Sequence, residues 1–289
     1  MLLKINIVYK NILYTMFNPN LKIKLDKPLR IGNQRRIRNV NKSRKNPMNP
    51  IGKPIKVIFC LPGSPFSDKF LLGWTGIVQY CLIHQIKLII SSRKSSNVYY
   101  VRNMCLGGSV KKGIKQKPFG GEIDYDYIMW IDSDQVFTVE HFIKLLEGKK
   151  DIISGLYLMD GGTRYATVQK WDKDFYKKNG YFEFLNKESV DKFRIENPNK
   201  LMEVEYTGFG WILVKKGVFE KLDYPWFRPI WEEFGKNKDG IQVREFTSED
   251  VGWCQSIIKK GFKIYINPEI QVGHEKMYNY IHPEFVIKQ

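Results

Sequence analysis

The sequence predicts an α/β fold: a mainly parallel central sheet flanked by helices. Three observations lead there. Apolar runs of strand length alternate with longer segments of helical spacing, the signature of βαβ units. The runs close on turn formers or acids, as at Pro62-Gly63 and Asp132. The chain has 289 residues, 43% apolar and 14% aromatic, enough for one large α/β domain with a sizeable core.

Residues 18–54 are rich in Asn, Lys, Arg and Pro and read as an arm or linker ending at NPIGKP. IKVIFCLPG (55–63) is an apolar run closed by Pro-Gly, a buried first strand. DKFLLGWTGIVQYCLIHQ (68–85) has helical spacing behind Asp68 as a cap. IKLIISS (86–92) is a second strand, and NVYYVRNMCLGGSV (97–110) a helix stopped by two glycines. YDYIMWID supplies a third strand, TVEHFIKLLEG (138–148) a helix with its terminal glycine, and KDIISGLYL (150–158) a fourth strand. From 159 to 206 the segment is charged and aromatic with no sustained period, and reads as insertions and short antiparallel strands. VEYTGFGWILVKKGVFEKL then shows a glycine-flanked aromatic loop, a strand over 211–215 and a short helix. SEDVGWCQSIIKKGF (248–262) is a helix with a Ser248 cap and with Glu249 and Asp250 in its first turn, where the dipole favours them. KIYINPEIQVGHEK is a strand followed by a turn carrying His274.

Charge divides the chain in two. Residues 1–50 hold twelve Lys/Arg against Asp26 alone, so +11 of the total +17 lies there. That arm is either a solvated tail or an electrostatic contact with nucleic acid, an anionic membrane surface or an acidic partner. Cys60, Cys81, Cys105 and Cys254 have no metal-ligand spacing, and three lie in apolar stretches; buried free thiols and a reducing, cytoplasmic compartment fit them. No run of ~18 apolar residues suggests a transmembrane helix. Residues 1–17 lack a cleavage site and read at most as a weak amphipathic segment that would lie peripherally on a membrane.

The chemistry gathers around Asp132, Ser133 and Asp134. In an open parallel sheet, ligands bind at the carboxyl ends of the strands, and YIMWIDSD places two hard oxygen donors at one. Such a pair suits Mg²⁺ or Mn²⁺, which complete their shells with water and substrate phosphates. Taken alone, an Asp-x-Asp is a weak signal, and one of the two acids more readily caps the helix that begins near residue 138.

The order strand–DSD–helix, then SED opening a late helix, then VGHEK beyond the next strand, resembles the GT-A glycosyltransferases that use nucleotide-sugar donors. SEDVGWCQSIIKKGFKIYINPEIQVGHEK is its most specific part, and the resemblance spans about 55–280. It implies a GT-A type, Rossmann-like domain over 55–289, with 55–158 as the nucleotide-sugar-binding half and 159–289 as the acceptor-side half. It implies Asp132 and Asp134 as ligands of Mn²⁺ (or Mg²⁺), completed by His274, a residue that by itself is more readily a surface histidine on a turn. It implies a UDP- or GDP-sugar donor held by Asp132, Ser133 and Asp134, with Leu61, Pro62 and Gly63 near the base and ribose. Arg102, in YVRNMCL, would reach the nucleotide, buttress the Asp-x-Asp loop, or stand as a plain surface residue. Asp250 would be the general base toward an acceptor hydroxyl or amine, with Glu249 orienting or replacing it; the same pair also simply satisfies a helix dipole. Gly208, Phe209, Gly210 and Trp211 would line the acceptor side, with Trp211 or Phe209 stacking on a sugar or packing in the core. The familiar Gln-x-x-Arg-Trp of inverting members is replaced by QSIIKKGF, so acceptor and stereochemistry do not carry over. The competing readings are a nucleotidyltransferase, for which CLPGSPFSDK is a poor phosphate loop, and an inactive basic nucleic-acid-binding module.

Overall fold

A computed structural model describes residues 53–159 and 161–276. The basic arm, apart from residues 53 and 54, and the amphipathic stretch 2–17 lie outside the described residues.

The first half follows the expected order: β1 (Lys56–Pro62), α1 (Asp68–Ile83), β2 (Lys87–Arg93), α2 (Val98–Cys105), β3 (Tyr127–Ile131), β4 (Gln135–Val136), α3 (Val139–Glu147) and β5 (Ile152–Leu156). Then come β6 (Arg164–Val168), α4 (Lys173–Asn179), β7 (Phe184–Asn186), α5 (Lys187–Glu196), β8 (Met202–Val204), β9 (Tyr206–Thr207) and β10 (Trp211–Lys215). The last elements are β11 (Trp231–Lys236), β12 (Gln242–Phe246), α6 (Glu249–Ile258), β13 (Ile264–Gln271) and β14 (Gly273–His274).

The fold is mixed α/β, as expected, around a seven-stranded sheet of order β2-β1-β3-β10-β5-β13-β8. Strands β2, β1, β3, β5 and β13 run in one direction, because β1 pairs in parallel with β2 and β3, β13 pairs in parallel with β5, and β10 is antiparallel to both β3 and β5. Only β10 and the edge strand β8 oppose them. Side chains alternate between faces with the period of two. Val57, Phe59, Met129, Ile131, Ile153 and Leu213 pack on one face with Phe70 and Ile77 of α1 and Phe142 and Leu145 of α3. Ile58, Cys60, Ile128, Trp130, Ile152 and Ile212 pack on the other, with Val101 of α2 and Trp253, Cys254 and Ile257 of α6. Burial on both faces is why these strands read as continuous apolar runs. All four cysteines are buried and free. No helix among the described residues is long and apolar enough to cross a membrane.

Three local expectations need correction. The cap of α1 is Ser67, whose hydroxyl accepts from the Phe70 amide, and Asp68 is the first helical residue. Segment 159–206 does form antiparallel strands, β7-β6-β9, but it also contains α4 and α5. Those helices were illegible by apolar period because local caps make them. Asp172 accepts from the Asp174 and Phe175 amides, Gly180 closes α4 at φ +77°, and Asn186 and Ser189 cap α5 reciprocally. The helix expected after β10 is a single 3₁₀ turn, Phe219–Lys221. Residues 231–246, silent in the sequence, form an antiparallel hairpin whose tip is tied by the Asn237 side chain accepting from the Asp239 and Ile241 amides.

Candidate active site

The carboxyl ends of β1, β3 and β5 meet the amino end of β10 along one edge of the sheet, since Trp211 pairs with Ile131. That edge gathers Gly63, Asp132–Asp134, Tyr157 and Gly210. The chain turns tightly there: the Gln135 amide donates to the Asp132 carbonyl, and the Asp132 amide donates to the Gly210 carbonyl. Gly63, at φ +96°, lies against this turn; a Cβ on it would come within 2.7 Å of Ser133 Oγ.

Asp134 is joined to His274 by a small sheet that only tertiary structure creates. β14 pairs antiparallel with β4, setting His274 opposite Gln135, and the Glu275 amide donates to the Asp134 carbonyl. His274 Nε2 then lies 3.0 Å from Asp134 Oδ2, while Nδ1 lies 2.7 Å from the Leu158 carbonyl oxygen. A carbonyl only accepts, so Nδ1 carries the proton, and Nε2 of the neutral ring points a lone pair at a carboxylate. Two lone-pair donors face each other at that spacing only if a cation sits with them, either a proton or a metal. The hydrogen bond with Asp134 raises the His274 pKa above its ordinary value. Burial pushes Asp134 upward, but His274 and Lys276 outweigh it and hold the carboxyl below the usual range.

Asp132 has a different partner. Arg102 Nη1 and Nη2 donate to its Oδ1 and Oδ2 at 3.0 and 2.9 Å, and Arg102 Nε donates to Glu249 Oε1 at 3.0 Å. The guanidinium is buried among Trp130, Phe209 and Phe227. Burial opposes its charge, but Asp132 and Glu249 more than offset this and raise its pKa above the ordinary value. Burial likewise pushes the Asp132 and Glu249 carboxyls up, with Asp250 adding to both and Arg102 opposing. A single buried arginine thus ties the Asp-x-Asp turn to the first turn of α6.

Asp250 is half-buried beside it. Its Oδ2 accepts from the Tyr206 hydroxyl at 3.1 Å, and its Oδ1 accepts from the Ser248 hydroxyl and, at 2.8 Å, from the Val251 amide.

Several expectations change with this geometry. Asp132 spends both oxygens on Arg102, and among the described residues no three His, Cys, Asp or Glu side chains converge as a metal cage. Of the three expected ligands, only Asp134 and His274 touch each other. Glu249 is buried and turned onto Arg102, whereas Asp250 is the more exposed of the two. Arg102 is no surface residue. Leu61 packs in the core and Pro62 is buried, which leaves the main chain and Gly63 facing the edge. Phe209 and Trp211 are fully buried, packed on Trp253 and Phe137 respectively, so neither stacks on a sugar. Gly208 and Gly210 make room for a residue the sequence reading missed. Cβ atoms there would meet Tyr157 at 1.9 and 3.0 Å, and the Tyr157 hydroxyl accepts from the Gly210 amide at 3.2 Å. Tyr157 also meets the His274 ring edge-on, centroids 5.4 Å apart. Its one sequence signal is its position just past the carboxyl end of β5. Tyr206, which holds Asp250, carries no such signal.

No family model and no curated protein matches this chain. Among solved structures, 77% of the chain aligns with 44% of a crystal structure of GalNAc-T7 with UDP, GalNAc and Mn²⁺, at 11% identity and a TM-score of 0.40. A glycosyltransferase involved in the glycosylation of the major capsid of PBCV-1 aligns over 50% of this chain and 70% of its own, at 15% identity and a TM-score of 0.23. The chain spans under half the length of the GalNAc-T7 protein, and at these scores neither likeness bears on what it does.

Proposed function

We propose that this protein is a GT-A type, metal-dependent glycosyltransferase that moves a sugar from a UDP- or GDP-sugar to an acceptor nucleophile. One observation carries the reading. Three elements far apart in sequence, the Asp132–Asp134 turn, the acidic start of α6 and the His274 strand, converge at the carboxyl edge of a mainly parallel sheet. That edge is where open α/β sheets bind nucleotides.

Asp134 and His274 would hold the cation. The fit rests on the donor set: one carboxylate oxygen, one imidazole nitrogen, and a Leu158 carbonyl that fixes the tautomer from behind. Two protein ligands suit Mg²⁺ or Mn²⁺, which take water and diphosphate oxygens besides, and the imidazole favours Mn²⁺. When bound, the cation neutralises the charge that develops on a leaving diphosphate. Asp132, fixed by Arg102, positions the turn, and Gly63 lets the main chain after β1 approach it. Asp250, held by Tyr206 and Ser248, accepts the proton of the acceptor as it attacks the sugar carbon.

The test is thermal shift with UDP and GDP, each with and without Mn²⁺, followed by donor hydrolysis. Stabilisation that requires Mn²⁺ and disappears in both Asp134→Ala and His274→Ala is expected. Stabilisation by DNA or RNA, with neither nucleotide having an effect in Mn²⁺, would sink the reading in favour of a nucleic-acid-binding module.

A further inference from the structure

Next to Asp250 opens a small pocket of about 180 Å³ lined by Trp171, Phe182, Tyr206, Phe234, Phe246 and Ser248. Tyr206 and Ser248 are the two residues whose hydroxyls donate to Asp250, so they link the lining of the pocket to that carboxylate. Its walls are rings: Trp171 lies flat on Phe182, with centroids 3.5 Å apart. Phe184 lines this pocket and also a second groove of about 650 Å³, so the two are neighbours that share that side chain. The second groove is polar: Gln169, Asp172 and Asn186 contribute, and the Arg164 guanidinium lies 4.8 Å over the Tyr181 ring. Two aromatic residues along the cleft face solvent, Phe246 at 56% exposure and Tyr181 at 43%, whereas most large rings of the protein are buried.

We propose that this cleft, from Asp250 past Phe184 to Tyr181, binds a neutral oligosaccharide as the acceptor; the assignment as acceptor rests on the reading of Asp250 as the base. The chemistry is specific in three respects. The C–H face of a pyranose carries partial positive charge and meets the negative face of an aromatic ring, while its rim of hydroxyls needs planar donors and acceptors. The cleft offers both, the exposed ring of Phe246 near Asp250 and amides and carboxylates beyond. The charges of the groove cancel, Arg164 and Lys170 being matched by Asp172 and Glu183, and the pocket adds only Glu245. A polyanion such as nucleic acid draws its affinity from an excess of Lys and Arg, which this cleft lacks. Together the pocket and the groove are built from β6, α4, β7, α5, β9, β11 and the β12–α6 junction, and neither is lined by Asp134 or His274.

The experiment titrates the whole chain with linear neutral hexose and N-acetylhexosamine oligomers, from disaccharide to hexasaccharide, read by tryptophan fluorescence. A single-stranded oligonucleotide and a peptide of mixed sequence serve as competing ligands. Wild type should bind at least one oligosaccharide. Phe246→Ala and Tyr181→Ala, both substitutions of exposed rings, should each weaken it about two- to tenfold, the loss of one ring contact. Nucleotide-dependent thermal shift should be unchanged in both variants. The proposal is overturned if no oligosaccharide binds, if both variants bind as wild type does, or if the oligonucleotide or peptide binds there and the substitutions weaken that instead. Loss of the nucleotide response in wild type would reject the transferase reading while leaving the sugar titration to judge the cleft.

Discussion

Arg102 shows how much one side chain carries in this molecule. It is buried, forked onto Asp132 and hydrogen-bonded through Nε to Glu249, so its removal leaves the buried Glu249 carboxylate and the partly exposed Asp132 carboxylate without their cation. Arg102→Ala should cost about 3–5 kcal/mol of folding stability, the range for breaking a buried ion pair by deleting one partner. Arg102→Lys keeps the charge but has no planar fork to span both acids, so it should recover only part of that loss. Urea unfolding of the three proteins checks this; equal stability of wild type and Arg102→Lys would show that charge alone matters. Asp250→Asn tests the other side of the same bridge. It keeps size and the contacts with Tyr206, and should preserve nucleotide binding while transfer falls by roughly 10²–10⁴-fold, the contribution of a general base. A fall in nucleotide affinity with normal turnover would make Asp250 structural.

At the scale of elements, α6 packs tightly against the segment that leads into the hairpin. A Cβ on Gly252 would lie 2.1 Å from the Arg228 carbonyl oxygen, a backbone atom that cannot swing aside. The chain from Arg228 leads through Ile230, whose amide donates to Thr247 Oγ1, into β11, and Thr247 leads straight to the Ser248 cap. Gly252→Ala should therefore force α6 away from this segment and destabilise the protein by about 1–3 kcal/mol, as overpacking does. Denaturation midpoint reads the loss, and transfer should fall more than nucleotide binding, because the displaced helix carries Asp250 and not Asp134. An undisturbed midpoint would mean that the hairpin base yields freely.

For the whole molecule, charge and chemistry separate along the chain. Residues 1–50 carry +11 of the +17, while every residue of the proposed site lies between Leu61 and His274. A chain beginning at Pro50 is expected to fold, to keep its nucleotide response, and to elute from heparin at lower salt than the full chain. The difference should shrink as salt rises, since it depends on counterion release. Identical elution would remove the arm as an electrostatic contact for nucleic acid or anionic lipid. Unfolding of the shortened chain would place part of the domain's support before residue 50.

What the sequence determined by itself is what short-range physics encodes. Apolar runs buried on both faces announce β1, β3 and β5. Ser248, Glu249 and Asp250 announce the start of α6, and the two acids after Ile131 mark a strand end fit for a ligand. Local caps without apolar period hid α4 and α5, and the hairpin 231–246 escaped for want of a signal strong enough to read. The partners of each acid were decided only by the tertiary structure. Asp132 and Asp134 are two residues apart in an indistinguishable motif, yet one faces a buried arginine thirty residues before it and the other a histidine 140 residues after it. The burial of Phe209 and Trp211, and the room that Gly208 and Gly210 leave for Tyr157, depend in the same way on which strands become neighbours. A residue's type limits the chemistry it can perform, but its pKa, exposure and partner come from groups that only the sheet order and the β4–β14 pairing bring within hydrogen-bonding distance.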